Sequence, residues 1–257
     1  MTSPSNGLLK AVRKAVSQGT TTPEGYSVAE TMHLLEEALR SNCVLGTVLS
    51  AESARDRVER ALRGKPEIRL AIVSDPLLDR LSATETSQGV LTLVRLPEWR
   101  LDDVFRHPPL VVVLDGVQDP GNVGAIIRSA EAFGASGVAL LKGCASPNNP
   151  KVIRASAGSI FRVPVVAGLE RTRLVGFAAE RQLAIHAAMP SAGIEAPRVD
   201  FSRGCAIIIG GEGRGLRADL YAAATPVRIP TAGVESLNAA MAASILLYEA
   251  RRQRGSA

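Results

Sequence analysis

Cysteine is scarce in this chain. Cys43, Cys144 and Cys205 are the only three, they lie far apart, and no C-x-x-C pair occurs. Histidine is just as rare, at His33, His107 and His186. These numbers leave no zinc-site spacing and no even set for a disulfide framework. Cys205 opens an apolar run and reads as a small core residue. Aromatic residues make up only 4% of the 257 positions, which excludes rows of stacked rings as the main way of holding bases. No apolar run reaches 18 residues, and the opening M-T-S-P-S-N is not built like a signal peptide. No membrane span is therefore expected, and a soluble, reducing, cytoplasmic setting is. The common nucleotide fingerprints are missing as well. There is no G-x-x-x-x-G-K-[ST], and G-E-G-R-G-L at 211–216 has no acid about 20 residues on at a second strand end. A P-loop enzyme and a Rossmann dehydrogenase are disfavoured. No internal repeat or low-complexity tract is seen.

What is present is a large apolar fraction, 46%, ample for a core in one large or two modest domains. Thirty basic against 25 acidic residues give a formal charge of +5, a modest lean towards an anionic partner. The first 20 residues hold Lys10, Arg13 and Lys14 and no acid, on a stretch, 6–18, with helical spacing. That basic face reads equally as a solvated surface or as an RNA-phosphate contact.

Along the front of the chain, helices are predicted over 30–41 and 54–62, with a short one from Asp75, and strands over 44–49, 68–73 and 89–94. This is a compact α/β unit, 1–96. Residues 97–109 carry Pro97, Pro108, Pro109 and the lone Trp99, and read as an extended linker. The second domain, 110–257, opens with a nearly pure Val/Leu strand over 110–114, of the kind buried on both faces. A turn at Asp119-Pro120-Gly121 leads to a helix with Asn122 as its expected N-cap. Further strands are expected over 137–141, 161–166 and 183–187, with helices near 151–158 and 171–181. Strands alternating with helices point to a mostly parallel sheet.

The chain is organised around its last third. Residues 206–209 form a short apolar run bounded by Gly210-Gly211 and read as a buried parallel strand. A loop with Gly211, Glu212, Gly213 and Gly215 follows. A second strand, 227–229, ends at Pro230, which has no N–H for pairing. The loop 231–235 then opens a helix with Ser236 as its expected cap. Gly-rich loops after two parallel strands suggest a ligand crevice at the carboxyl edge of a sheet.

Three polar groupings fall on that edge: Asn122 with Arg128, Glu212, and Ser236 with Asn238. Singly, each has an ordinary reading. Asn122 and Ser236 serve as caps, Arg128 as a surface cation, Glu212 as an acceptor for its own loop, and Asn238 as a bridge between loops. Their joint placement is the stronger signal.

D-P-G-N-V-G-A-I-I-R-S-A (119–130), I-I-I-G-G-E-G-R-G-L (207–216) and I-P-T-A-G-V-E-S-L-N-A-A-M-A (229–242) closely resemble, in order and spacing, the three motifs of the SpoU/TrmH family. These are RNA ribose 2′-O-methyltransferases of the SPOUT class. The match spans about 110–254. The front part is similar to the ribosomal-protein-like α/β RNA-binding domain that many members carry, with N-G-L-L-K-A-V-R-K (6–14) and T-S-Q-G-V-L-T-L-V (86–94) as its usual ends. It departs at 28–31, V-A-E-T, where relatives often have E-G. The resemblance implies a C-terminal parallel-sheet domain with a deep trefoil knot, an exception to the unknotted rule. It implies S-adenosylmethionine held by backbone near Gly210, Gly211, Ile229 and Leu237, and a homodimer whose sites draw on both subunits. It implies structured RNA as substrate, ribosomal RNA favoured over tRNA, and no metal. Arg128 would stand at the centre of the methyl transfer, with Asn122, Glu212, Ser236 and Asn238 around it. A guanidinium is a poor base, so binding the adjacent phosphate and the developing oxyanion is the preferred role, with proton transfer left open. The competing reading is a non-catalytic RNA-binding or ribosome-assembly protein of the same fold.

Overall fold

A computed structural model describes residues 6–84, 87–106, 108–211 and 223–255. Its contacts gather into two units, Met1–Glu98 with Ser146–Arg162, and Trp99–Ala145 with Val163–Ala257. The division falls within 97–109, and a segment placed by sequence in the second domain, Ser146–Arg162, packs with the front unit instead.

The front unit starts with α1, Gly7–Gln18, capped by Asn6, whose Oδ1 accepts from the Leu8 N–H at 2.9 Å. It buries Leu9, Val12 and Ala15 and leaves Lys10, Arg13 and Lys14 exposed. Strands β1 (Ser27–Glu30), β2 (Val44–Ala51), β3 (Leu70–Val73) and β4 (Val90–Arg95) form a sheet in the order β1-β4-β2-β3. Both neighbours of β4 are antiparallel to it, and β2 and β3 run parallel. Residues 90–94 are all buried, because both faces of the sheet are covered. Leu91 and Leu93 face α1 and α4 (Asp75–Asp79), whereas Val90 faces α2 (Met32–Arg40) and α3 (Arg55–Ala61). That is the two-residue period of a strand with two apolar sides.

Strand β1 corrects the sequence expectation of a helix from residue 30. Ser27 and Glu30 pair in the sheet, and the helix begins only at Met32. Thr31 makes the corner at φ +117°, a value that favours glycine, and its side-chain oxygen accepts from the Leu34 N–H at 3.2 Å. Glu30 is buried and accepts from the Ala83 N–H at 2.8 Å and Ser82 Oγ at 3.1 Å, with Arg154 at 3.5 Å. Arg154 lies on α7, Pro150–Ala155, which packs on β1.

The second unit is a seven-stranded sheet. Its strands are β5 (Leu110–Asp115), β6 (Gly137–Leu141), β7 (Val165–Leu169), β8 (Ala184–Met189), β9 (Ile194–Glu195), β10 (Cys205–Gly210) and β11 (Thr225–Arg228). Their order is β7-β6-β5-β10-β8-β11-β9, and every recorded pairing is parallel. Central β5 and β10 are Val- and Ile-rich and buried along their length, as a sheet covered on both sides requires. One face packs Val111, Val113, Ala206 and Ile208 against α5 (Leu101–Val104) and α8 (Arg171–Glu180). Over the other lie α6 (Pro120–Ala132) and α9 (Ala239–Gln253), which also pack on each other. Helix α6 buries Val123, Ile126, Ile127 and Ala130, and each large aliphatic side chain so buried is worth roughly 1.5–3 kcal/mol.

Two expectations change here. The 97–109 stretch is not an extended spacer throughout, because Leu101, Val104 and Phe105 are buried in this unit's core. The strand expected over 161–166 begins at Val165. Residues Ser159–Phe161 form a 3₁₀ turn, and Pro164, which has no N–H, only offers its carbonyl to Val138 N–H at 2.8 Å.

Candidate active site

Parallel strands bring their carboxyl ends to one edge, so the loops that follow them must meet there. At the ends of β8, β10 and β11 they leave a cleft of about 260 Å³. Ala188, Met189 and Pro190 form one wall, Ile209, Gly210 and Gly211 another, and Val227 and Ile229 a third. Ser236, Leu237 and Ala239 close it from the start of α9. All four residues read as cofactor-holding, Gly210, Gly211, Ile229 and Leu237, therefore line one cavity. No lining residue among those described carries a formal charge. Such a lining grips a ligand through apolar surface and main-chain N–H and C=O groups.

Gly211 has a structural reason of its own. A Cβ there would lie 2.0 Å from the Gly116 carbonyl oxygen, and the Gly211 N–H donates to the Asp115 carbonyl at 2.9 Å. Close approach of two backbones, not of a ligand alone, requires glycine.

Beside the cleft two motif asparagines meet. Asn238 is the N-cap of α9, its Oδ1 accepting from Ala240 N–H at 2.9 Å and Met241 N–H at 3.4 Å. With the oxygen so engaged, Nδ2 donates to Asn122 Oδ1 at 3.0 Å. Both capping expectations shift as a result. Ser236 does not cap the last helix; it is exposed, lines the cleft and precedes the true cap by two residues. Asn122 does not cap α6; Asp119 does, its Oδ2 accepting from the Asn122 N–H at 2.8 Å. Proline at the first helical position of α6 selects the earlier start.

Arg128 lies six residues beyond Asn122 on α6, about 9 Å along the axis. Its guanidinium is exposed, and no ion pair holds it among the described residues. Glu212 lies outside the described residues. The two helices are stitched again about two turns further on. Ser244 Oγ gives its hydrogen to the Ala240 carbonyl at 2.7 Å, so Ser129 must be the donor in the 2.7 Å contact between the two hydroxyls.

Sequence reading missed two parts of this edge. The wall at Ala188–Pro190 follows a strand that was expected, and an apolar A-A-M-P leaving a third parallel strand was the available signal. The other is an ion pair between a buried carboxylate and a partly exposed arginine. Asp115, the last residue of β5, receives Arg171 Nη2 at 2.6 Å and Nε at 3.4 Å. These residues are 56 positions apart and nothing local links them.

His186 stands on β8 two residues before the cleft. It is 6% exposed, neither ring nitrogen has a hydrogen-bond partner among the described residues, and Phe201 packs edge-on at 5.1 Å. Burial lowers its pKa, partly opposed by the Asp200 charge. Burial likewise pushes all three thiols up, so Cys43, Cys144 and Cys205 lack thiolate character at neutral pH.

Comparison with known proteins agrees with this geometry. The model of the SpoU rRNA Methylase family matches residues 109–248. A Synechocystis protein described as an uncharacterised tRNA/rRNA methyltransferase is 34% identical over 267 aligned residues, covering 100% of this chain and 95% of its own length. The 23S rRNA (guanosine(2553)-2′-O)-methyltransferase RlmP of Bacillus subtilis is 30% identical, covering 97% of this chain and 98% of its own. Among solved structures, the SpoU methyltransferase AviRb from Streptomyces viridochromogenes in complex with AdoMet superposes with a TM-score of 0.87 at 26% identity, covering 97% and 98% of the two chains.

Proposed function

The chain belongs to the SpoU rRNA Methylase family, and on that premise we propose that it methylates a ribose 2′-OH in structured RNA, using S-adenosylmethionine. One observation carries this reading. Leu237 and Ala239 line the cleft, and the residue between them, Asn238, bonds Asn122 from the first motif. A ligand seated in the cleft thus lies beside the polar groups that would receive the ribose.

The cleft suits the cofactor: its described lining carries no formal charge and combines aliphatic side chains with partly exposed backbone at Gly210 and Gly211. When bound there, S-adenosylmethionine supplies a methyl group already activated on a sulfonium. The protein's own part is positional and electrostatic. Asn238, held by its capping bonds, fixes Asn122, and the pair orients the ribose. Arg128 is exposed, and a guanidinium remains charged across the physiological range, so it binds the flanking phosphate and steadies the oxyanion forming at O2′. Ser236 adds a hydroxyl at the cleft mouth.

Ribosomal RNA is the favoured substrate, supported by a 23S rRNA enzyme that aligns over nearly the full length of both chains. tRNA is the alternative. Transfer to rRNA would place the protein in the cytoplasm. The front unit is read as the RNA-binding module, supported by the acid-free basic face of α1. A trefoil knot is supported by the insertion of β10 between β5 and β8 and the return of α9 over β10 and α6. A homodimer is supported by the apolar residues that α9 leaves exposed, Met241 at 56%, Tyr248 at 57% and Ile245 at 39%.

The test is methyl incorporation from labelled S-adenosylmethionine into total rRNA and, separately, total tRNA from cells lacking this protein. Label in one pool, with one linkage made alkali-resistant, is the expected result. Cofactor binding with no transfer to either pool, or to precursors of either, would favour the non-catalytic alternative.

A further inference from the structure

The parallel sheet buries one carboxylate at its functional edge, and the partner comes from a helix that the chemistry above does not use. Asp115 is 5% exposed and is held by two guanidinium N–H groups of Arg171, the first residue of α8. Its main chain faces the other way. The Asp115 carbonyl accepts from the Gly211 N–H at 2.9 Å, and Gly211 approaches Gly116 so closely that no side chain could fit. Gly211 therefore hydrogen-bonds the Asp115–Gly116 peptide and packs on the Gly116–Val117 peptide. Past Gly116, at φ +71°, the chain reaches Asp119, the cap of the helix bearing Asn122 and Arg128. The side-chain pair thus stands behind the glycine wall of the cleft.

A buried ion pair contributes little net stability, because desolvation offsets the attraction and an apolar pair often serves as well. What it supplies is direction. Two N–H···O contacts from a planar guanidinium fix the carboxylate's rotation as well as its position. At the last residue of a strand that also fixes the next peptide, the one to which Gly211 is hydrogen-bonded.

We infer that Asp115 and Arg171 are a positioning pair that sets the cofactor cleft at Gly210 and Gly211. The inference rests on the cofactor reading of that cleft. Arg171 does not line the cleft and acts through Asp115.

The experiment compares wild type with Arg171→Met, Arg171→Lys and Asp115→Asn in the full chain. Amide hydrogen exchange is followed at 206–211 and at 110–113, and S-adenosylmethionine affinity by calorimetry. Arg171→Met and Asp115→Asn should speed exchange at 208–211 by tenfold or more and leave 110–113 unchanged. Cofactor Kd should rise at least tenfold, with kcat at saturating cofactor within threefold of wild type. Arg171→Lys should stay within threefold on every readout. Wild-type affinity in a folded Arg171→Met, or lost affinity without faster exchange at 208–211, overturns the inference. Should Arg171→Met fail to fold, the isosteric Asp115→Asn decides alone. Wild-type protein that bound no S-adenosylmethionine would refute the proposed function, and the exchange comparison would still decide the role of the pair.

Discussion

The two units place their polar groups differently. In the front unit they go inside: Thr22, Ser27, Glu30, Ser50, Thr92, Ser156 and Ser159 are all buried. In the second unit only Asp115 and His186 are buried polar residues among those described. The rest of its described sheet interior is Val, Ile, Leu and Ala with Cys205 and Gly137, and the motif asparagines lie at the carboxyl edge. The front unit therefore uses hydrogen bonds to hold loops together, Glu30 alone tying 82–83 and α7 to β1. The second unit is held mainly by apolar packing. Removing a polar group should thus cost stability in one unit and activity in the other.

The largest effect expected is on activity. Arg128→Ala should lower the methylation rate about 10³-fold, equivalent to roughly 4 kcal/mol of lost transition-state stabilisation. Melting temperature and cofactor affinity should hold, since the side chain is exposed. A variant that kept wild-type turnover would remove Arg128 from the site. Glu30→Ala is the counterpart. It strips the acceptor from a buried network and should cost about 3 kcal/mol, read as a loss of thermal stability. An unchanged denaturation curve would break the comparison from that side.

Asn238 is where the two roles overlap. Asn238→Asp keeps an oxygen for the cap of α9 and deletes the donor to Asn122. Turnover should fall about 10- to 100-fold, roughly 1.4–2.7 kcal/mol, while stability stays within about 0.5 kcal/mol. Equal losses of both would show that the asparagine pair is structural. The smallest effect concerns His186. Its folded pKa is depressed by burial, so the unfolded chain binds the proton more readily. Stability should be full above the unfolded value, about 6.5, and decline by about 1 kcal/mol as pH falls towards 5. Replacement by Phe should flatten that limb of the pH–stability curve, and an unaltered slope would assign it to other groups.

Much of this was legible in the sequence because it is local. The Val/Leu run of β5, the Ile run of β10 and the glycines after it follow from short-range rules, and Gly210, Gly211, Ile229 and Leu237 do share one cleft. What misled was competition among neighbours. In D-P-G-N and S-L-N more than one residue can cap, and the choice fell to Asp119 by its proline and to Asn238, whose oxygen reaches two N–H groups. Strand β1 hid because V-A-E-T carries a charge that only the distant Ser82, Ala83 and Arg154 satisfy. Residues 101–105 looked like linker because four residues of helix leave little periodicity. The Asp115–Arg171 pair could not be read at all, since only the folded sheet brings its members together.

The central claim is that the cleft between β8, β10 and β11 holds S-adenosylmethionine. Photocrosslinking of methyl-labelled S-adenosylmethionine to the purified chain, followed by peptide mapping, tests it most directly. The account predicts label in peptides containing 188–190, 209–211 or 227–239, competed away by unlabelled cofactor. Competable label confined to the front unit would contradict it.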